Sequence, residues 1–389
     1  MLDIAADLVT WCRDGRDFAV ATVVAVHGSA PRPPGAALAV DRAGTVLGSV
    51  SGGCVEGAVY ELCREAIADG TPRTERFGYS DADAFAVGLT CGGAIEILIT
   101  PVLAGTPARP PFAAALGAAA DGTPAALARI AAGPRELLGG ALLLGPDGSR
   151  SGTLGDAGTL DGPAAAEAAA LLRQGRTGTV RLATATGPVT LLVESVAPPP
   201  RMLVFGAVDF ATALVRAGAF LGHRVTVCDA RPVFATPERF PGAHEVVVDW
   251  PHRYLERQRT DERTVICVLT HDAKFDIPLL TRALRMPAAY IGAMGSRRTH
   301  ADRLRRLREA GVPEHQLARL RSPVGLDLGA VTPEETALSI AAEIVAVRRG
   351  GSGAPLTGTT VPIHHSPAVG SAHDGGSPAL PARPQPRAA

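Results

Sequence analysis

From residue 202 onward, short apolar runs alternate with amphipathic stretches of helical period. The runs 202–205, 225–228, 245–248, 264–269 and 289–291 are strand-like. Between the first two, residues 210–221 place Leu214, Val215, Gly218 and Leu221 on one helical face, and the helix stops at Gly222. Apolar strands alternating with helices predict βαβ units and a parallel sheet covered on both faces. The last helix is punctuated at both ends. Thr332 and Glu335 form a capping box, Pro333 takes the first helical position and Gly350 ends it. Residues 202–349 thus predict a doubly wound, Rossmann-type domain. Residues 1–196 read differently, with β-like runs at 20–26, 94–100, 141–144 and 189–193. Alanine-rich stretches at 113–131 and 163–174 interrupt these runs and predict helices, giving an α+β domain. A linker over 197–201 follows from Ala197-Pro198-Pro199-Pro200, which favours extended backbone. Residues 350–389 are rich in Gly, Pro, Ser and Ala without apolar period and predict a disordered tail, His364 and His365 included.

Lys plus Arg equals Asp plus Glu at 38 each, so charge gives no case for nucleic acid or an anionic membrane surface. Six cysteines are scattered without a CxxC. No basic segment leads into an apolar run at the N-terminus, and no run of about eighteen apolar residues could span a bilayer. These features predict a cytoplasmic protein with reduced thiols.

In a doubly wound sheet, ligands sit at the carboxyl ends of the strands. Four such ends carry polar or glycine-rich chemistry. Gly206-Ala207-Val208-Asp209-Phe210-Ala211 keeps the first glycine of a dinucleotide fingerprint but has Val208 in place of the second. Asp209 adds negative charge there, so NAD(P) is disfavoured. Asp229 lies about where a ribose-binding acid belongs, roughly twenty residues on, with Arg231 beside it. His271 and Asp272 follow the fourth run, and Gly292, Gly295, Ser296 and Arg297 follow the fifth. Taken singly, these are turn and cap residues; together they predict a binding crevice. Most arginines between 297 and 308 flank only a thin stripe of Leu304 and Leu307 and read as a solvated face, with Arg297 and Arg298, next to the glycine turn, as the ligand candidates.

In the first half, GSVSGGCVEGAVYE places Cys54 behind Gly52 and Gly53, in the first turn of a predicted helix. Amides and the positive helix end there lower a thiol's pKa. Cys63 falls near the apolar stripe of Val55, Val59, Leu62 and Ala66 and reads as core. Thr90-Cys91-Gly92-Gly93 is a near mirror image, and the proline-stiffened loop from His27 to Gly35 presents Ser29 and Arg32. Two glycine-flanked thiols with a Ser/Arg loop suit an anionic ligand containing a soft metal or sulfur. Small cysteines packed at tight turns would give the same pattern.

GSAPRPPGAALAV, GSVSGGCVEGAVYE and GLTCGG resemble the N-terminal domain of the xanthine dehydrogenase accessory (XdhC/CoxI) family. VTVCDARPVFATPERFP, VLTHDAKFD, YIGAMGSRRTH and RSPVGLDLGAVTPEETALSIAAEIVA resemble its Rossmann domain, so the likeness covers about residues 10 to 350. The resemblance implies a maturation chaperone that binds molybdenum cofactor, protects it while an oxo ligand is exchanged for sulfur, and inserts it into an apo molybdenum hydroxylase. It implies a cysteine desulfurase as a further partner and no turnover by the chaperone itself; a homodimer is compatible with it. The cargo would be molybdopterin or its cytosine dinucleotide form. Contact candidates are Ser29, Arg32, Ser51, Gly52, Gly53, Cys54, Glu56, Cys91, Gly92, Gly93, Gly206, Asp229, Arg231, His271, Asp272, Gly292, Gly295, Ser296 and Arg297. Of these, Cys54 and Cys91 are the candidates for touching molybdenum or its sulfur. The alternatives are an NAD(P)-dependent oxidoreductase using His271 and Asp272 as acid and base, and a docking adaptor with a vestigial Rossmann domain.

Overall fold

The computed structural model describes residues 1–27, 32–78, 93–155, 158–184 and 187–358. Its N-terminal part is built twice from one plan. The first copy runs α1 (Ala5–Arg13), β1 (Phe18–His27), β2 (Ala37–Asp41), β3 (Val46–Gly48), α2 (Glu56–Asp69), β4 (Arg73–Gly78) and β5 (Ala94–Val102). The second runs α3 (Arg109–Asp121), β6 (Ala125–Ala132), β7 (Ala141–Leu144), β8 (Arg150–Thr153), α4 (Asp161–Gln174), β9 (Gly178–Thr184) and β10 (Gly187–Val196). Each copy makes an antiparallel sheet, ordered β3-β2-β1-β5-β4 and β8-β7-β6-β10-β9.

Strand alternation sets the layers. Ala19, Ala21 and Val23 point from β1 to α2, where they meet Val59, Cys63 and Ala66. Phe18 and Val20 point the other way, joining Leu127 and Ala141 of the second sheet and the helices through Trp11 and Phe112. Ala126, Ala128 and Ile130 of β6 turn toward α4. The result is a helix–sheet–sheet–helix sandwich. Between the sheets Arg129 donates to Glu194 at 2.5 Å and to Thr22 at 2.8 Å, while Glu194 also accepts from the Met1 amine at 2.7 Å.

Residues 125–131 correct the predicted 113–131 helix. Gly122 ends α3 in the left-handed region, and the following AALARIAA forms β6, the central strand of its sheet. Its helix propensity is overridden because β6 pairs on both sides and is buried along almost its whole length.

The C-terminal part contains β11 (Arg201–Phe205), α5 (Asp209–Phe220), β12 (Arg224–Asp229), β13 (Glu245–Val248), α6 (Pro251–Glu256), β14 (Val265–Val268), α7 (Ala273–Ala283), β15 (Tyr290–Ala293), α8 (Arg297–Glu309), α9 (Glu314–Leu317), β16 (Leu320–Arg321) and α10 (Pro333–Arg349). All strands are parallel, in the order β13-β12-β11-β14-β15-β16. The order reverses between β11 and β14, the switch point of a doubly wound sheet. One core packs α5 and α10 on one face, the other packs α6, α7 and α8 on the opposite face. The predicted cap of α10 is present, with both halves of the Thr332–Glu335 box formed. Arg201 belongs to β11, which leaves residues 197–200 as the connection. The predicted tail lies outside the described residues beyond Leu356-Thr357-Gly358.

Candidate functional site

The loop from Ser49 to Glu56 joins β3 to α2, and its centre is the Glu56 carboxylate. Glu56 accepts from Ser49 Oγ at 2.7 Å and from the amides of Ser51, Gly53 and Val55 at 2.9, 2.8 and 3.2 Å, and from the Ser51 hydroxyl. Burial opposes its ionisation, but the hydroxyl and amide donors outweigh that and hold its pKa at about 2. The amides expected to receive a ligand anion are therefore filled by the chain's own carboxylate. Cys54 is also displaced from the expected first turn: α2 starts at Glu56 and its N-cap is Val55. Cys54 is half-buried, packs on the edge of the α2 core, and follows the exposed Gly52 and Gly53. Cys63 is fully buried in that core, and burial pushes its thiol up to about 12.

The second copy repeats the loop. Gly48 and Gly152 occupy equivalent register positions, with φ of +77° and +87°. A Cβ on either would stand 2.2 Å from the carbonyl oxygen of Ala37 or Ala141. Val50 and Leu154 are buried alike, and the first helical residue of each copy is a carboxylate that accepts a loop amide at 2.9 Å, Glu56 from Ser51 and Asp161 from Leu154, one position earlier in the loop. In the position before the aliphatic N-cap, the first copy has Cys54 and the second Thr159. The thiol is thus one part of the loop that the repeated scaffold does not share, together with the Ser51 hydroxyl, where the second copy has Gly155.

Ser29, Cys91 and Gly92 lie outside the described residues. Gly93 precedes β5. Arg32 pairs with Asp3 at 3.0 Å and lines a cavity of about 360 Å³ with Thr177, Glu194 and Ser195, rather than bonding to the Cys54 loop. His27, which carries no motif signal in the sequence, hydrogen-bonds Glu96 at 3.0 Å where β1 ends and β5 begins.

At the C-terminal crevice, Gly206 runs close under Thr270, so a Cβ would come within 2.9 Å of its methyl. Ala207 donates its amide to Asp229 at 2.7 Å. Burial raises the Asp229 carboxyl's pKa, yet bonds from Arg231 and the amides win and keep it lowered. Arg231 makes a two-point contact, at 2.9 and 2.8 Å, so Asp229 and Arg231 are joined to each other. Arg239 answers the charge of Asp209 at 3.2 Å and lies with Arg231 against the Phe234 ring.

Asp272 caps α7 through the Lys274 amide at 3.0 Å and pairs with its ammonium at 3.3 Å. That backbone bond lowers its pKa, which suits a cap better than a proton donor. His271 is exposed beside it. Gly292 is buried inside β15 beneath Tyr290 and Val324, which corrects its placement in a ligand loop. Gly295 lies against Thr299, Ser296 caps α8, and Arg297 is exposed. Arg303 is a second correction: it is 3% exposed rather than part of a solvated face. Its guanidinium contacts Asp276 and the Met294 carbonyl, both at 2.9 Å, and Ser322 at 3.0 Å. Thr270 completes the cluster at 2.5 Å from Asp276. The signal was available in Asp276 and Arg303 only as charges; their pairing comes from α7 packing on α8. No cluster of three or more metal-ligating side chains occurs among the described residues, and no helix there is long and apolar enough to cross a membrane.

The chain thus pairs a duplicated sandwich bearing a cysteine loop with a Rossmann-type domain whose strand ends carry polar residues. The XdhC and CoxI family model matches residues 11–78 and 118–183, ranges that coincide with the two copies. The XdhC Rossmann domain model matches 202–344. The chain belongs to the XdhC and CoxI family. It is 26% identical to a probable xanthine dehydrogenase subunit of Bacillus subtilis over 86% of this chain and 94% of that one. It is also 26% identical to the molybdenum cofactor insertion chaperone PaoD of Escherichia coli, over 86% of this chain and 84% of that one. A crystal structure from Bacillus halodurans named as a xanthine dehydrogenase shares the fold, with a TM-score of 0.59 and 24% identity over 89% of this chain and 96% of that one.

Proposed function

We propose that the protein is an accessory chaperone that binds molybdenum cofactor, protects it during sulfuration and inserts it into an apo molybdenum hydroxylase of the xanthine dehydrogenase or carbon monoxide dehydrogenase type. Kinship to PaoD along most of both chains supports the cargo, and kinship to a probable component of xanthine dehydrogenase supports the client. The observation that carries the reading is the Cys54 loop. Glu56 fixes its backbone, and Cys54 is a soft donor that the matching loop of the second copy replaces with Thr159. Because the loop amides are occupied by Glu56, a phosphate arm of the cargo must find its cations elsewhere. A cytosine dinucleotide form would lay its nucleotide over the C-terminal crevice, and a cysteine desulfurase would supply the sulfur.

The test is anaerobic purification from a molybdenum-replete host, with pterin fluorescence and metal analysis. Pterin and molybdenum should co-elute near one per chain, and Cys54→Ser should lower retention while leaving the fold intact. Absence of both after reconstitution overturns the reading.

A further inference from the structure

We propose that Trp250 and Phe275 form a stacking platform for the base of a nucleotide at the carboxyl edge of the parallel sheet. This deepens the reading above by giving the nucleotide arm of the cargo a place, and it rests on that reading only for the source of the nucleotide.

Trp250 lies two residues past Val248, the end of β13, and remains 41% exposed. Its ring lies 5.3 Å from that of Phe275, in the first turn of α7, with the planes tilted by 48°. The two residues follow β13 and β14, and each segment is tied to the end of a neighbouring strand at the carboxyl edge. Asp249, just before Trp250, donates its amide to the Asp229 carbonyl at 3.2 Å. Thr270, at the other end, packs on Gly206. The platform therefore stands where a doubly wound sheet receives ligands.

Its surroundings favour a flat ring carrying negative charge. The Arg253 guanidinium sits 5.9 Å from the Trp250 centroid and has no ion pair among the described residues. The Lys274 ammonium, which also pairs with Asp272, sits 4.8 Å from the Phe275 centroid, so Arg253 is the unpaired cation of the rim. His252 meets the Trp250 ring edge-on at 6.0 Å, and its Nδ1 is shut off from solvent without a hydrogen-bond partner. An aromatic face rimmed by cations is the arrangement that stacks nucleobases with little sequence preference. The altered fingerprint is consistent with this. With Val208 and Asp209 at the glycine turn, binding would rest on the base and on side-chain cations rather than on backbone amides around a pyrophosphate.

The experiment titrates the full-length protein with CMP and AMP, following tryptophan fluorescence and calorimetry, with ribose 5-phosphate as the base-free control. The chain has two tryptophans, and Trp11 is buried, so quenching reports on Trp250. Saturable quenching by both nucleotides and none by ribose 5-phosphate is expected. Calorimetric affinity should fall roughly tenfold or more in Trp250→Leu and stay near wild type in Trp250→Phe, which keeps the stack. Unchanged melting of both variants shows that the fold is kept. No nucleotide binding up to millimolar, equal binding of ribose 5-phosphate, or wild-type affinity in a folded Trp250→Leu overturns the proposal. Pterin retention is measured in parallel. Retained pterin without nucleotide binding defeats the platform alone, whereas nucleotide binding without pterin defeats the chaperone reading alone.

Discussion

Cys54 and Cys63 are nine residues apart and chemically opposite. Cys63 is enclosed between β1 and α2, while Cys54 is half-buried beside two exposed glycines. At pH 8, limited alkylation followed by peptide mapping should label Cys54 and spare Cys63, Cys228 and Cys267, whose thiols burial pushes up to about 12. Labelling of Cys63 at the rate of Cys54 would contradict the packing. Glu56 makes a sharper prediction. Replacing it with Gln removes a charged acceptor shared by several donors and should destabilise the protein by about 1–3 kcal/mol at pH 7, read by denaturant unfolding. The folded carboxyl titrates near 2 against 4.5 for the unperturbed group. Its contribution is therefore complete above about 4.5 and fades as the pH falls toward 2. The gap between Glu56→Gln and wild type should narrow over that window; a gap constant with pH would mean the charge is not what holds the loop.

At the scale of elements, the duplication makes its own control. Gly48 and Gly152 do the same work at the ends of β3 and β8, so Gly48→Ala and Gly152→Ala should cost similar amounts, on the order of 2–4 kcal/mol, because each forces a methyl into a carbonyl oxygen. A near-neutral result at one position would break the equivalence. The α7–α8 contact gives a second test through Asp276 and Arg303. Removing Arg303 alone strands a buried carboxylate, and Arg303→Leu should cost about 3–5 kcal/mol. Adding Asp276→Asn should restore part of that loss, which a double-mutant cycle measures. An additive double mutant would show that the two charges are not coupled.

At the scale of the whole molecule, the buried clusters of residues 1–196 and 202–349 share no member. Each part thus has its own core, the condition for a unit that unfolds by itself. Calorimetry of the full chain should resolve two transitions. Gly48→Ala should lower one, Arg303→Leu the other, and neither should move both by comparable amounts. A single transition shifted equally by each variant would mean that the parts fold as one cooperative unit. The altered fingerprint belongs to this scale too, because nucleotide recognition is set by the whole sheet edge. NAD(H) should bind weakly, and low-micromolar affinity by calorimetry would restore the dehydrogenase reading.

The parallel half of this protein was legible in its residues alone. Its central strands are short apolar runs buried on both faces, its helices carry apolar stripes, and the Thr332–Glu335 box and Gly350 are local signals that need no distant partner. Glycines and polar residues clustered at the strand ends also marked the candidate loops. The antiparallel half was less legible because AALARIAA has helical propensity and becomes a strand only when β7 and β10 pair with it. The duplication is hidden for a similar reason: the copies share register, a left-handed glycine and a capping carboxylate, but few identities. Which charged groups face each other emerged only from the folded chain. Asp229 meets Arg231, Asp276 meets Arg303, and Glu56 fills the loop that a ligand anion was expected to enter. A sequence gives the sign of each charge; burial and the partner across the fold determine whether it remains available.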